Sequence, residues 1–227
     1  MFRALGQAFE DYLQALLDDL RPGEACRGDE RGEGFSDFYL LEGDTLLAFE
    51  AKANVMRDDV KWAGNIACIR SELQKIVKQN QLMRAIEKYL REHLELQGRV
   101  TRVVPVFTVL DPVFACPGLE AEVQRAVSKP VLEYRVDDPH LLFVGELELA
   151  GLYIREGLLA KLLDVRRSVA GAGWVTLGQV ISRHKSTVTS ALGQWLEPYD
   201  AHEGTRDALN ELLRDFQVRH GGALSHV

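Results

Sequence analysis

Phe35-Ser36-Asp37-Phe38-Tyr39-Leu40-Leu41-Glu42-Gly43-Asp44-Thr45-Leu46-Leu47-Ala48-Phe49-Glu50-Ala51-Lys52 reads as two strands joined by a two-residue turn. Gly43-Asp44 is a hairpin signal, with glycine supplying the positive φ of a type II′ turn. That turn sets the register: Glu42 faces Thr45, Leu41 faces Leu46, and Asp37 faces Glu50. Side chains alternate with period two, so Lys52 shares a sheet face with Glu50. Directly opposed positions have Cβ atoms ~5 Å apart, and like charges there are destabilising. Two opposed carboxylates beside a lysine make sense when a cation occupies the gap. The plain alternative is a solvated strand face with an incidental Glu50–Lys52 salt bridge. It has to explain why Leu46 and Ala48, on the same face, are apolar. A face that is apolar and then abruptly charged reads as a core running into a cleft.

Phosphodiester hydrolysis suits such a site. Mg²⁺ prefers oxygen ligands, keeps several waters and is commonly held by one or two carboxylates plus substrate phosphate. Asp37 and Glu50 supply the carboxylates, and the Ala51 carbonyl could add an oxygen. Mg²⁺ (or Mn²⁺ in its place) would polarise the phosphoryl group and acidify a bound water. Lys52, a compact charge with three donors, could orient the attacking water and stabilise the transition state.

The bulk composition frames this without deciding it. The chain has 227 residues, enough for one large domain or one domain plus a smaller appendage. At 46% hydrophobic and 27% charged residues it can bury a real core. A formal net charge of −7 counts against a protein that simply coats DNA, although a local basic groove is compatible with it. Cys26, Cys68 and Cys116 form no Cys-x-x-Cys pair and no zinc spacing with the histidines, so they read as thiols in a reducing compartment. Acidic residues in the first twenty positions fit neither a signal nor a transit peptide, and no apolar run approaches membrane-spanning length. The expected location is the cytoplasm, with no membrane partner.

Around the hairpin, residues 2 to 20 read as an amphipathic helix, with Leu5, Phe9, Tyr12, Leu13, Leu16 and Leu20 on one face and Leu17 at its edge. Glu10 lies about 20° from Leu17 by the 3.6-residue period. Residues 24 to 34 read as a loop. A long helix is expected from about Ala63 to Leu96, ended by Gly98. Arg102 to Leu110 reads as a strand buried from both sides, with Pro105 awkward in a central strand. A short helix from Leu119 to Val127 and strands at Val131–Tyr134 and Leu141–Val144 complete an α/β core. From Gly145 the pattern turns helical, which divides the chain into a core domain over 1–155 and a helical C-terminal subdomain over 156–227.

Asp37, twelve intervening residues, then Glu50-Ala51-Lys52 after a helix resembles the PD-(D/E)XK nuclease superfamily, which includes restriction endonucleases and Holliday-junction resolvases. The resemblance covers roughly the first half of the chain. It implies a restriction-endonuclease-like core of order α-β-β-β-α-β, a mixed sheet flanked by helices, with the acids and lysine on central strands. In many members a glutamate on the first helix completes the metal shell, and Gly6-Gln7-Ala8-Phe9-Glu10-Asp11-Tyr12 looks like that helix. The resemblance thus makes Glu10 a metal ligand beside Asp37, Glu50 and Ala51, with Asp37, Glu50 and Lys52 catalytic. A helix-surface carboxylate explains Glu10 equally well. Two departures stand out: Ser36 occupies the position of the motif's proline, and the long helix lacks the Gln-x-x-x-Tyr of the RecB-like branch. Gln81 resembles a glutamine of related nucleases, and a solvated helix face explains it as well.

The resemblance points to DNA as the substrate, in defence by restriction or in repair, with a homodimer or a separate motor or recognition protein as partner. The alternative is a catalytically silent nuclease-fold module that binds nucleic acid or a protein. Farther along, Trp174–Ile181, Arg183-His184-Lys185 and Ser186–Leu192 read as two short helices joined by a basic turn. A helix-turn-helix is the sharper interpretation, and a plain helical subdomain is the better one. The His220–His226 tail reads as a frayed terminus.

Overall fold

The structure, a computed structural model, describes residues 2–28, 34–57, 60, 66–77, 80–96, 98–115, 117–129, 133–170 and 175–188. Expectations for Val131-Leu132, for Trp174 and 189–196, and for the His220–His226 tail lie outside these residues. The chain divides into two compact units, Met1–Ala160 and Lys161–Val227.

In the first unit, α1 (Phe2–Leu20) is followed by β1 (Ala25–Arg27), β2 (Phe38–Glu42) and β3 (Thr45–Lys52). Helices α2 (Ile66–Val77) and α3 (Gln81–Glu92) lead into β4 (Arg102–Val109). Then come α4 (Pro117–Ala126), β5 (Arg135–Val136), β6 (His140–Phe143), α5 (Val144–Leu149), α6 (Gly151–Arg155) and the start of α7 (Leu159–Ala170). This is an α/β fold around one mixed sheet. Strands β1, β2 and β3 pair antiparallel in turn, β4 runs parallel to β3, and β5 and β6 both run parallel to β4. The chain order is the α-β-β-β-α-β order that the resemblance implies, with two helices in place of the second one.

The hairpin holds the register expected from its turn, with Phe38 opposite Phe49, Leu41 opposite Leu46 and Glu42 opposite Thr45. Gly43 has φ 62°, and Asp44 is not among the residues of positive φ, as a type II′ turn requires. Every residue of β3 is buried, because helices cover both faces of the sheet. Leu46 and Ala48 belong to a core with Tyr39, Leu73, Ile86 and Phe107. Helix α1 packs against β3 through residues outside that cluster, so the opposite face holds Leu47 and Phe49.

Some local outcomes differ from the sequence pattern. The buried stripe of α1 is Phe9, Leu13, Leu17 and Leu20, whereas Leu5 and Tyr12 are exposed. Leu17 is therefore central rather than marginal, and Tyr12 turns outward to hydrogen-bond Glu148. Residues 25–27, expected in a loop, form an edge strand on β2, too short to show alternation. Asn80, in the left-handed region at φ 65°, precedes α3, so the expected single long helix is two. Pro105 does lie in a central strand. Its position falls where β5 pairs only with Arg102 and Val103 and β6 only from Val106 onward, so that side has no ladder bond for proline to break.

The hairpin is also tied at its turn end. The buried Glu42 carboxylate accepts hydrogen bonds from Leu159 N at 3.2 Å and Ala160 N at 2.9 Å, capping the first turn of α7. Within the second unit, α8 (Leu177–Val188) opens with a reciprocal cap: Thr176 Oγ1 accepts from Gln179 N, and Gln179 Oε1 accepts from Thr176 N. This helix runs unbroken through Arg183-His184-Lys185, where a turn between two short helices was expected. No glycine or proline stands there to stop it.

Two glycines hold backbone positions at which a side chain is disfavoured. A Cβ on Gly28 would lie 1.7 Å from the backbone oxygen of Ser36, because the chain leaving β1 runs against the chain entering β2. Gly43 meets nothing, and its constraint is φ alone. Gly43→Ala is therefore expected to cost about 1 kcal/mol, and Gly28→Ala more than roughly 2 kcal/mol. Urea unfolding of both variants tests this order, and equal midpoints would contradict it.

Candidate metal centre

The ladder between β2 and β3 ends at the Phe38–Phe49 pair, and Asp37 stands one residue before it. Its carboxylate continues the ladder in another form: Asp37 Oδ2 accepts a hydrogen bond from Ala51 N at 2.6 Å. An ionised acceptor makes this bond short and roughly twice as strong as a neutral one. The bond fixes the half-buried Asp37 carboxylate against the Glu50-Ala51-Lys52 backbone. The main chain behind it is also held, since Gly28 N donates to Asp37 O at 2.8 Å.

Glu50 and Lys52 point from the same face, and both are buried, at 1% and 7% exposure. Lys52 Nζ donates to Glu50 Oε1 at 2.6 Å. The second oxygen, Glu50 Oε2, is buried and has no hydrogen-bond partner among the described residues. Taking a carboxylate out of water costs several kcal/mol, and one lysine contact leaves half of its acceptor capacity unmet. Ser36 Oγ and Thr108 Oγ1 are likewise buried without partners. Ser36 adjoins Asp37, and Thr108 is the register partner of Ala51 on β4. By the period-two alternation Thr108 lies on the sheet face opposite Glu50, so its unmet hydroxyl is separate from the Glu50 carboxylate.

Two further residues steady this end of the sheet. Leu110 N donates to Lys52 O at 3.2 Å. Asp111, buried just beyond β4, accepts from Met56 N at 3.0 Å and from Val113 N at 3.1 Å. It thereby pins the segment that leaves Lys52 to the segment that leaves β4. Tyr39, on the Glu50 face, accepts from Ser36 N at 2.9 Å and donates to Ala85 O at 3.3 Å. Burial raises the pKa of its hydroxyl well above the ordinary tyrosine range despite the opposing Ser36 hydrogen bonds, and the nearby Glu50 carboxylate pushes the same way as burial.

The structure brings Asp37, Glu50, Ala51 and Lys52 together. Glu10 is placed differently. It lies on the helix that covers the opposite face of the sheet, and its carboxylate pairs with Arg27 at 3.9 Å. Among the described residues no group of three or more His, Cys, Asp or Glu side chains is arranged to hold a metal ion. The donor set is thus two carboxylates, with the Ala51 carbonyl as a further hard oxygen. Such a set suits Mg²⁺, which fills its remaining positions with water and phosphate. Asp111, Ser36 Oγ and Thr108 carry no mark in the sequence pattern. Asp111-Pro112 signals only a strand end, though an aspartate just after a central strand is a position from which a side chain can cap a turn.

No family model and no curated protein matches the chain. Among solved structures it is similar to the small subunit of the heterodimeric restriction endonuclease R.BspD6I, at 10% sequence identity and a TM-score of 0.39 over 76% of this chain and 83% of that one. Among the described residues no helix is long and apolar enough to cross a membrane.

The Tyr39 hydroxyl links this end of the sheet to stability at high pH. The folded chain holds its proton more tightly than the unfolded chain does. Its contribution is therefore complete below about pH 10, the ordinary tyrosine pKa, and is lost as pH rises through the folded value. Urea midpoints are expected to fall above about pH 10, and less steeply in Tyr39→Phe. Some slope remains in the variant, because burial raises Tyr153 in the same direction. Identical alkaline slopes in the two proteins would contradict this.

Proposed function

We propose that the chain is a Mg²⁺-dependent nuclease that hydrolyses phosphodiester bonds of DNA, in restriction of foreign DNA or in repair. The observation that carries the proposal is the buried, unpartnered Glu50 Oε2 beside the anchored Asp37 carboxylate. A cation would complete the shell that the protein leaves half made.

Asp37, Glu50 Oε2 and the Ala51 carbonyl would hold the ion, which when bound supplies charge stabilisation to the phosphoryl oxygens and acidifies water. The remaining work falls to the chain. Asp37 is held by Ala51 N, so its carboxylate needs no reordering when substrate arrives. Glu50 Oε1 holds the Lys52 ammonium by the floor of the site. From there Lys52 places a water for attack on phosphorus and offsets the charge that grows on the phosphoryl oxygens. Burial of both side chains excludes competing water and strengthens each of these interactions. Glu10 would join only as an outer ligand, after release from Arg27. DNA, the defence or repair role, a cytoplasmic setting, and a homodimer or a motor or recognition protein as partner belong to the proposal through the superfamily resemblance.

A silent module of the same fold would also keep the Glu50–Lys52 pair, with Lys52 spent on Glu50 rather than on substrate. Cleavage separates the two. Supercoiled, linear, branched and single-stranded DNA, and RNA, are incubated with Mg²⁺ or Mn²⁺ beside Glu50→Ala and Lys52→Ala. The expected result is divalent-dependent cleavage that falls about a hundredfold or more in each variant. DNA binding should survive in Lys52→Ala. No cleavage by the wild type, or equal cleavage by all three, would overturn the proposal.

A further inference from the structure

Two segments leave the sheet at the metal-centre end, and one carboxylate holds both. The first, residues 53–57, follows β3, and the second follows β4 as Asp111 and the 3₁₀ turn Pro112–Ala115. Asp111 accepts from Met56 N through one oxygen and from Val113 N through the other. The two amides therefore lie within roughly 8 Å of each other. Each segment is also anchored by a side chain, because Met56 and Phe114 are buried in the core on the Glu50 face of the sheet. Beside these anchors the neighbouring residues turn to solvent. Val55 is 52% exposed and Val113 38%, and Arg57 is exposed as well. Two exposed β-branched side chains on a backbone held in this way form a rigid apolar rim, with little freedom left to lose on contact.

The rim adjoins the metal centre. Val55 lies three residues past Lys52, so their Cα atoms are at most about 11 Å apart. Val113 lies four residues past Val109, the register partner of Lys52. Duplex DNA rises ~3.4 Å per base pair, so a duplex with one phosphate on Asp37 and Glu50 carries its next few base pairs across these segments. A valine has no donor or acceptor for a phosphate, and its counterpart on DNA is a sugar or the apolar part of a base edge. We propose that Val55 and Val113 form the DNA-contacting rim of the metal centre, packing on sugars and base edges within about three base pairs of the scissile phosphate. Arg57, on the same segment as Val55, meets a flanking phosphate, and Asp111 is the positioning residue that fixes both valines. The nuclease reading supplies the place of the phosphate, and the rim adds the surface that the duplex covers.

DNA binding tests the rim separately from cleavage. The full chain is titrated into a fluorescent duplex in Ca²⁺ and followed by anisotropy, beside Val55→Asp, Val113→Asp and Leu94→Asp. Leu94 is 68% exposed and belongs to the segment that leads into the start of β4, at the other end of the sheet. The wild type is expected to bind, each rim variant about tenfold more weakly, and Leu94→Asp as the wild type does. Arg57→Ala should lower the slope of log affinity against log salt by about one. Thermal melts verify that each variant folds, as expected at exposed positions. No duplex binding by the wild type, rim variants that bind as tightly as the wild type, or an equal loss in Leu94→Asp would overturn the proposal. The expected binding pattern without cleavage by the wild type would keep the rim as a DNA surface and remove the nuclease reading alone.

Discussion

A lysine ammonium and a glutamate carboxylate, both almost wholly removed from water, meet at 2.6 Å at the C-terminal end of β3, and among the described residues only one carboxylate oxygen is satisfied. Much of the surrounding architecture makes sense as the means of holding that arrangement. A charged pair can be carried there only if the neighbouring backbone is rigid. Parallel pairing of β3 with β4 along its full length and antiparallel pairing with β2 provide that rigidity. The apolar residues Leu46 and Ala48 extend the core up to the charges. Asp37 and Asp111, each accepting backbone N–H bonds, tie off the chain on either side.

Such a centre is a poor device for stability. A buried pair seldom outweighs its desolvation, and a well-packed apolar pair of similar volume would commonly serve as well or better. Retaining an orphaned carboxylate oxygen in the middle of a sheet adds to that cost. On the proposed function the missing partner is an ion, and the oxygen unmet in the free chain would become its ligand, making the half-satisfied glutamate a preorganised site.

The hairpin and its charged end are legible in the sequence because local chemistry fixes them. Gly43-Asp44 selects the turn, the turn sets the register, and period two puts Glu50 and Lys52 on one face. The parallel β4 is legible because it is apolar on both faces. What escapes is set by tertiary partners. The ladder stops at Phe38, so Asp37 meets Ala51 N instead of standing squarely across from Glu50. Leu17 lies in the core and Tyr12 lies outside it, where its hydroxyl bonds Glu148. The three residues of β1 carry no periodicity, and Asn80 breaks a helical pattern by its backbone conformation without glycine or proline as a signal. Thr108 and Ser36 look like ordinary strand and loop hydroxyls until burial leaves them without partners.

A divalent cation shared by Glu50 Oε2 and Asp37 would reveal itself in anomalous diffraction from crystals grown with Mn²⁺. One strong peak is expected, roughly 2.1 Å from Glu50 Oε2 and from an Asp37 oxygen, and absent from Glu50→Gln crystals. A peak only elsewhere, or one that persists undiminished in Glu50→Gln, would show that the two carboxylates hold no ion between them.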